Sequence, residues 1–198
     1  MNPDGSAPAP PEDPGRLRFL SVLYVDDEPV LPDICRIYLL KYGITVTPAP
    51  SVREALRLME SKHFDLILSD YEMPGIDGAG FLNILREKHI ALPVVIFSGQ
   101  APDTLRGGVF SRGSVYYVRK GGEPRKMFNE LAGRIRDAFR KDQEKAILQK
   151  IALQYRTLFE QSGAAVVTLD DSLLITTANA GFEQLTGYGK DEIERVLR

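Results

Sequence analysis

The stretch Leu66-Ile67-Leu68-Ser69-Asp70 decides the fold. Its first four residues contain no Gly or Pro, and the turn cluster Met73-Pro74-Gly75 follows almost at once. A short run of this kind reads as a buried strand of a parallel sheet, over 66–69, with Asp70 at its carboxyl end. In open parallel sheets the ligand site lies outside the carboxyl ends of the strands. The residues that arrive at that edge are therefore the candidates for function.

Three other strand-like runs end in the same manner. Residues 19–25 lead to Asp26, Asp27 and Glu28, residues 93–97 to Ser98 and Gly99, and residues 115–118 to Arg119 and Lys120. An acid pair, a lone aspartate, a hydroxyl and a lysine thus converge. Clustered carboxylates suit a hard cation such as Mg²⁺, which keeps several waters and takes few protein ligands. An aspartate whose charge is neutralised by a metal, beside a lysine and a hydroxyl, can accept a phosphoryl group.

Composition narrows the classes. The 198 residues have room for one full domain and part of another, and 43% hydrophobic with 26% charged residues implies a packed core. A net charge of −2 gives no reason to expect nucleic-acid binding. One cysteine, Cys35, excludes an intrachain disulfide, and with only two histidines a zinc site is not expected. The longest apolar runs are strand-length and the first residues lack the apolar core of a signal peptide. No membrane association is expected, and the location expected is cytoplasmic.

In chain order, residues 1–17 carry five of the 13 prolines and read as a disordered leader. Pro29 suits a helix start, with Pro32 still in the first turn. Val30, Ile34, Ile37, Tyr38 and Leu40 recur at helical spacing before Gly43, and Cys35 reads as a small helix residue with no redox role. A short strand over 44–47 is followed by Ser51 and Glu54, a capping box that opens a helix to about Lys62. Ala55, Leu58 and Met59 are its inward residues, and His63 beyond it reads as a surface residue. After Asp70 a helix to about His89 shows the stripe Phe81, Leu82 and Leu85. A weaker helix begins at Asp103 and Thr104 and breaks at Gly107-Gly108, which suits a mobile element. Strand and helix alternate five times, the pattern of an α/β, doubly wound five-stranded parallel sheet with helices on both faces.

From Pro124 a helical pattern runs to about Gln161. Phe128, Leu131, Ile135 and Ala138 form one stripe, and Leu148, Ile151, Tyr155 and Leu158 a second. Continued in heptads, the first stripe reaches position 149 whereas the second occupies 148, so the two registers differ by one residue. The first stripe is expected to pack on the sheet and the second to form a coiled-coil-like connector, which allows a homodimer. Beyond it, strands over 165–169 and 174–177 flank a turn at Asp170-Asp171, and Asn179, Phe182, Leu185, Gly187 and Tyr188 follow in a short helical stretch. These residues are too few for a second complete core. The divisions expected are a leader (1–17), the α/β domain (18–140), a helical connector (141–158) and a small α+β segment (159–198).

These motifs in register resemble the receiver domain of two-component response regulators, the flavodoxin-like fold of which CheY is the single-domain example. Leu23-Tyr24-Val25-Asp26-Asp27-Glu28-Pro29 is similar to the family's first acidic motif, and Asp70 with Met73-Pro74-Gly75 and Asp77-Gly78 to its phospho-acceptor loop. The separations fit as well: 43 positions from Asp27 to Asp70, 28 from Asp70 to Ser98 and 22 from Ser98 to Lys120. The resemblance implies that Asp70 accepts a phosphoryl group from a histidine kinase or phosphotransfer protein. It implies Mg²⁺ held by Asp27 and Asp70 directly, by Asp26 through water and by the backbone carbonyl of Glu72. It further implies that Lys120 offsets phosphoryl charge, that Ser98 and Tyr117 are the switch pair, and that the output is a downstream protein target. The surface expected to switch lies between the helix after Ser98 and the strand before Lys120. No separate substrate turnover is expected, so the chain reads as a phospho-acceptor rather than an enzyme.

Two positions depart from the family pattern. Gly121-Gly122 stands where a proline usually follows the lysine, and a carboxylate, Glu72, occupies the position two beyond the acceptor, where it can influence attack by water. The segment from about Tyr155 resembles the first part of a PAS sensor domain, on Phe159-Glu160-Gln161-Ser162, Asn179-Ala180-Gly181-Phe182 and Leu185-Thr186-Gly187-Tyr188. Such a segment is expected to be thinly packed or completed by a partner chain, and to bind no ligand of its own. Two rival readings are a pseudo-receiver acting only as an interaction scaffold, and an aspartyl-nucleophile phosphohydrolase. Phosphohydrolases similar to the haloacid dehalogenases need a second Asp two positions after the nucleophile, where this chain has Glu72.

Overall fold

The computed structural model describes residues 19–99, 115–189 and 192–193. Five parallel strands form one sheet: β1 (Leu20–Val25), β2 (Ile44–Ala49), β3 (Leu66–Ser69), β4 (Val94–Ser98) and β5 (Val115–Arg119), in the order β2-β1-β3-β4-β5. Between them run α1 (Val30–Leu40), α2 (Val52–Ser61) and α3 (Gly78–Glu87), and after β5 comes α4 (Pro124–Glu160). Successive strand residues point to opposite faces, so the sheet divides its core in two. Val22, Tyr24, Leu68, Val95 and Phe97 pack with Cys35 and Leu39 of α1 and with Phe128, Leu131, Ile135 and Ala138 of α4. Leu23, Val25, Ile67, Val94 and Ile96 pack with Ala55 and Leu58 of α2 and with Phe81, Leu82 and Leu85 of α3. The doubly wound architecture expected from the alternation is the one observed.

Local details correct the sequence reading in four places. The stripe picked on α1 is not its buried face: Pro32, Cys35 and Leu39 are buried, while Val30 and Ile37 are 68% and 65% exposed. This helix is apolar nearly all round, so spacing alone does not choose between its faces. β2 extends past Thr47 to Ala49 and includes Pro48. It is an edge strand, where a missing N–H breaks no ladder. α3 ends at Glu87, and His89 takes a positive φ of 55°. Met59 of α2 is only partly buried. The capping box is formed, Ser51 Oγ accepting from Glu54 N at 3.3 Å, and the His63 side chain is exposed. The leader 1–17 and the weak helix from Asp103 to Gly107-Gly108 lie outside the described residues.

The chain divides into two compact units at Asp142 and Gln143. In the second unit β6 (Val167–Leu169) and β7 (Ile175–Ala178) pair antiparallel, and α5 (Ala180–Thr186) follows. Asp170 Oδ1 builds the turn between the strands by accepting from Ser172 N at 2.8 Å and Leu174 N at 3.0 Å. Asn179 is fully buried and caps α5, accepting from Phe182 N at 3.0 Å. Among the described residues of this unit only Ala178, Asn179 and Ile193 are buried, so its core is thin. No helix among the described residues is long and apolar enough to cross a membrane.

Candidate functional site

Strand register brings the acids together. Val25 of β1 lies opposite Ser69 of β3, and Asp70 N donates to Val25 O at 2.8 Å. Asp26 and Asp70 therefore leave neighbouring strands side by side. On the far side Ser98 pairs with Arg119, and Lys120 N donates to Ser98 O at 2.8 Å. That bond holds the backbone of Lys120 beside the end of β4, from where its side chain reaches the acids. Its ammonium donates to Asp26 Oδ2 at 2.8 Å and to Asp70 Oδ2 at 2.7 Å. Burial works against the lysine's charge, but the hydrogen bonds and charges of the two aspartates outweigh it and hold its pKa above the ordinary value.

One oxygen from each of Asp26, Asp27 and Asp70 lies within 4.8 Å of the others. The three differ in surroundings. Asp26 is buried, and both its oxygens have donors: Glu28 N at 3.0 Å on Oδ1, Tyr24 Oη at 2.7 Å and Lys120 Nζ on Oδ2. Asp70 is 8% exposed and accepts from Tyr71 N at 2.6 Å on Oδ1. Asp27 is exposed and borders a groove of about 360 Å³ lined by Ser51, Arg53, Met73, Pro74 and Ile76. Glu72 is exposed and, with Asp27, lines a neighbouring open cleft. The donor set is all oxygen and mostly carboxylate, which matches the ligand chemistry of Mg²⁺.

The remaining predicted residues lie where the strands end. Ser98 is buried at the end of β4, and its carbonyl accepts from Tyr117 Oη at 3.0 Å as well as from Lys120 N. Tyr117 is thus partly buried with its hydroxyl turned toward Ser98, and burial pushes the phenol up. Asp77 caps α3 by accepting from Gly80 N at 2.8 Å. Gly121 and Gly122 have φ of 115° and 86°, a region that favours glycine. The turn after Lys120 is therefore built on glycine backbone freedom, and no cis peptide occurs among the described residues.

Two residues escape sequence reasoning. Tyr24 reads as a core residue of β1, yet its hydroxyl reaches the acid cluster. Gly78 reads as a turn residue, yet a Cβ there would lie 2.9 Å from Tyr71 Cα and 3.0 Å from Asp70 O. Only glycine lets α3 start so close to the backbone of Asp70. A period-two pattern signals that Tyr24 and Asp26 share a face, and that clue was available in the sequence.

The sequence matches the family model for the response regulator receiver domain over residues 22–132. The chain belongs to that family. Residues 153–198 match the model of a PAS domain. The receiver is similar to the transcription factor Skn7 of Candida albicans, 34% identical over 82 residues that make up 41% of this chain and 15% of Skn7. It is similar in structure to the receiver domain of a Francisella response regulator, with 29% identity, a TM-score of 0.54, and coverage of 62% of this chain and 98% of that one. It is also similar to the response regulator TrrA of Thermotoga maritima in complex with Mg²⁺-BeF, with 25% identity, a TM-score of 0.52, and coverage of 60% and 98%. Receiver domains are signalling modules, and the chain belongs to two-component phosphorelay signal transduction.

Proposed function

We propose that Asp70 is the phospho-acceptor, taking a phosphoryl group from a histidine kinase or phosphotransfer protein in a Mg²⁺-dependent step. The observation that carries this reading is the pair of bonds from Lys120 Nζ to Asp26 and Asp70 inside a three-aspartate cluster. Asp27 and Asp70 would hold the metal directly, Asp26 through water, since its oxygens already have protein donors, and the Glu72 carbonyl would complete the set. When bound, Mg²⁺ supplies positive charge against the carboxylates and the phosphoryl oxygens. A carboxylate oxygen of Asp70 forms a bond to phosphorus while the phosphorus–nitrogen bond of the donor breaks, its electron pair leaving with the imidazole. Lys120 follows the charge as it moves onto the phosphoryl oxygens. Ser98 donates its hydroxyl to the phosphoryl group, and Tyr117 changes rotamer in response, which alters the surface offered to a downstream protein.

The chain promotes its own phosphorylation and dephosphorylation and turns over no separate substrate. It works in the cytoplasm, with residues 18–140 as the receiver, 141–158 as a connector that pairs two copies, and 159–198 as part of a PAS domain. Neither nucleic acid nor a membrane is among its partners. Labelling with a radioactive small-molecule phosphodonor tests the central assignment. The expected product is an acyl phosphate, so the label is released by hydroxylamine and is absent from Asp70→Asn. A label resistant to hydroxylamine, or one retained by the variant, would place the phosphoryl group elsewhere.

A further inference from the structure

Tyr24 is fully buried, two residues before the acid pair. The alternation of β1 turns its side chain to the same face as Asp26. Its hydroxyl and the Lys120 ammonium donate to one and the same oxygen, Asp26 Oδ2, at 2.7 and 2.8 Å. Its ring packs against Phe97, with centroids 6.3 Å apart at 52°. Lys120 Nζ in turn lies 5.8 Å from the centre of the Phe97 ring. Tyr24 therefore touches two of the groups that surround the lysine. The turn beyond Lys120 runs through Gly121 and Gly122, both in the positive-φ region that favours glycine.

We propose that Tyr24 is a positioning residue that holds Lys120 over Asp70 by pinning the Asp26 carboxylate. Glu28 N ties down Oδ1 and the phenol ties down Oδ2, so the carboxylate cannot turn. The ammonium then meets a fixed acceptor on one side and Asp70 on the other. Without the phenol the carboxylate can rotate, and the lysine divides its time among several arrangements. A phenol that served only to satisfy its own buried hydroxyl would contribute to stability and leave the lysine unaffected. The inference rests on the reading of Asp70 as phospho-acceptor, and its test separates the two.

The variant is Tyr24→Phe, which keeps the ring. The first readout is the ammonium proton signal of Lys120 by NMR in the metal-free protein. A resolved, slowly exchanging signal is expected in wild type and its loss into the bulk lysine signal in the variant. The second is the rate of phosphorylation by saturating acetyl phosphate with Mg²⁺. It is expected to fall about tenfold, the worth of a hydrogen bond to a charged group, with the half-saturating donor concentration almost unchanged. In a Lys120→Met background the same substitution should change the rate by less than about twofold, because the two residues act as a unit. A wild-type lysine signal and rate in Tyr24→Phe would overturn the proposal, as would an equal loss in both backgrounds. Should Tyr24→Phe fail to fold, 4-methylphenylalanine at the same position fills the space of the hydroxyl without its proton and carries the same expectations. If wild type itself takes no phosphoryl group, the acceptor reading fails, while the lysine signal still decides the role of Tyr24.

Discussion

Cys35 lies on the buried face of α1 with no exposed surface, and its thiol is pushed up to about 12, by burial first and by the charge of Asp26 second. The nucleophilic thiolate is therefore absent at neutral pH. Native protein should not react with Ellman's reagent at pH 8 on the time scale of minutes, and one thiol should appear on denaturation. Rapid native labelling would show that α1 opens. Lys120 titrates in the other window. Its pKa is raised above the ordinary 10.5 in the fold. The stability it contributes is thus fully present below that value and is lost as pH rises through the folded value. A melting temperature that falls steeply only on the alkaline side, and less so in Lys120→Met, is the expected profile. The residues that leave the strands at one edge were legible in the sequence, because each follows an apolar run. Tyr24 was missed, since a hydrophobic pattern counts its ring alone, and only the period-two alternation that sets it on the face of Asp26 points to where its hydroxyl goes.

At the scale of elements, α2 was legible from its cap, Ser51, and from one apolar stripe, and α3 from its stripe alone, because Asp77 reads in the sequence as a loop residue and only the structure shows it as a cap. α1 was legible as a helix and misread as to face, because apolar residues occur on both sides of it. In the second unit a single side chain joins several segments. Asn179 accepts from Val166 N at 2.9 Å and Phe182 N at 3.0 Å, and donates to Phe159 O at 2.8 Å and Ala164 O at 2.9 Å. Asn179→Ala leaves these buried groups unmatched and should destabilise the unit by about 3 kcal/mol. Hydrogen exchange would report this as lost protection over residues 166–186 with protection in β1 and β3 unchanged; full protection of both would contradict it. Gly181 is required for a different reason: a Cβ there would lie 2.6 Å from Ala164 O. Neither dependence shows in a one-dimensional pattern, because the partners lie up to 20 positions away.

At the scale of the whole molecule, the continuous helix from Pro124 to Glu160 was legible because no further proline or long loop interrupts the helical pattern, although its two apolar stripes differ in register. The stripe Phe128, Leu131, Ile135 and Ala138 is buried on the sheet, whereas Leu148, Ile151, Tyr155 and Leu158 are all more than half exposed. The proposed parallel dimer would cover this second stripe by heptad packing. Sedimentation velocity should then find a dimer for wild type and a monomer for Leu148→Lys with Leu158→Lys. A monomeric wild type at all concentrations would remove the dimer from the account without touching the receiver.

The central assignment is Asp70 as a Mg²⁺-dependent acceptor, and intact mass after incubation with a small-molecule phosphodonor tests it most directly. One phosphoryl adduct on wild type, present with Mg²⁺, absent with a chelator and absent from Asp70→Asn, is the predicted result. An unmodified mass under every condition, in a protein that also fails to bind Mg²⁺, would contradict it.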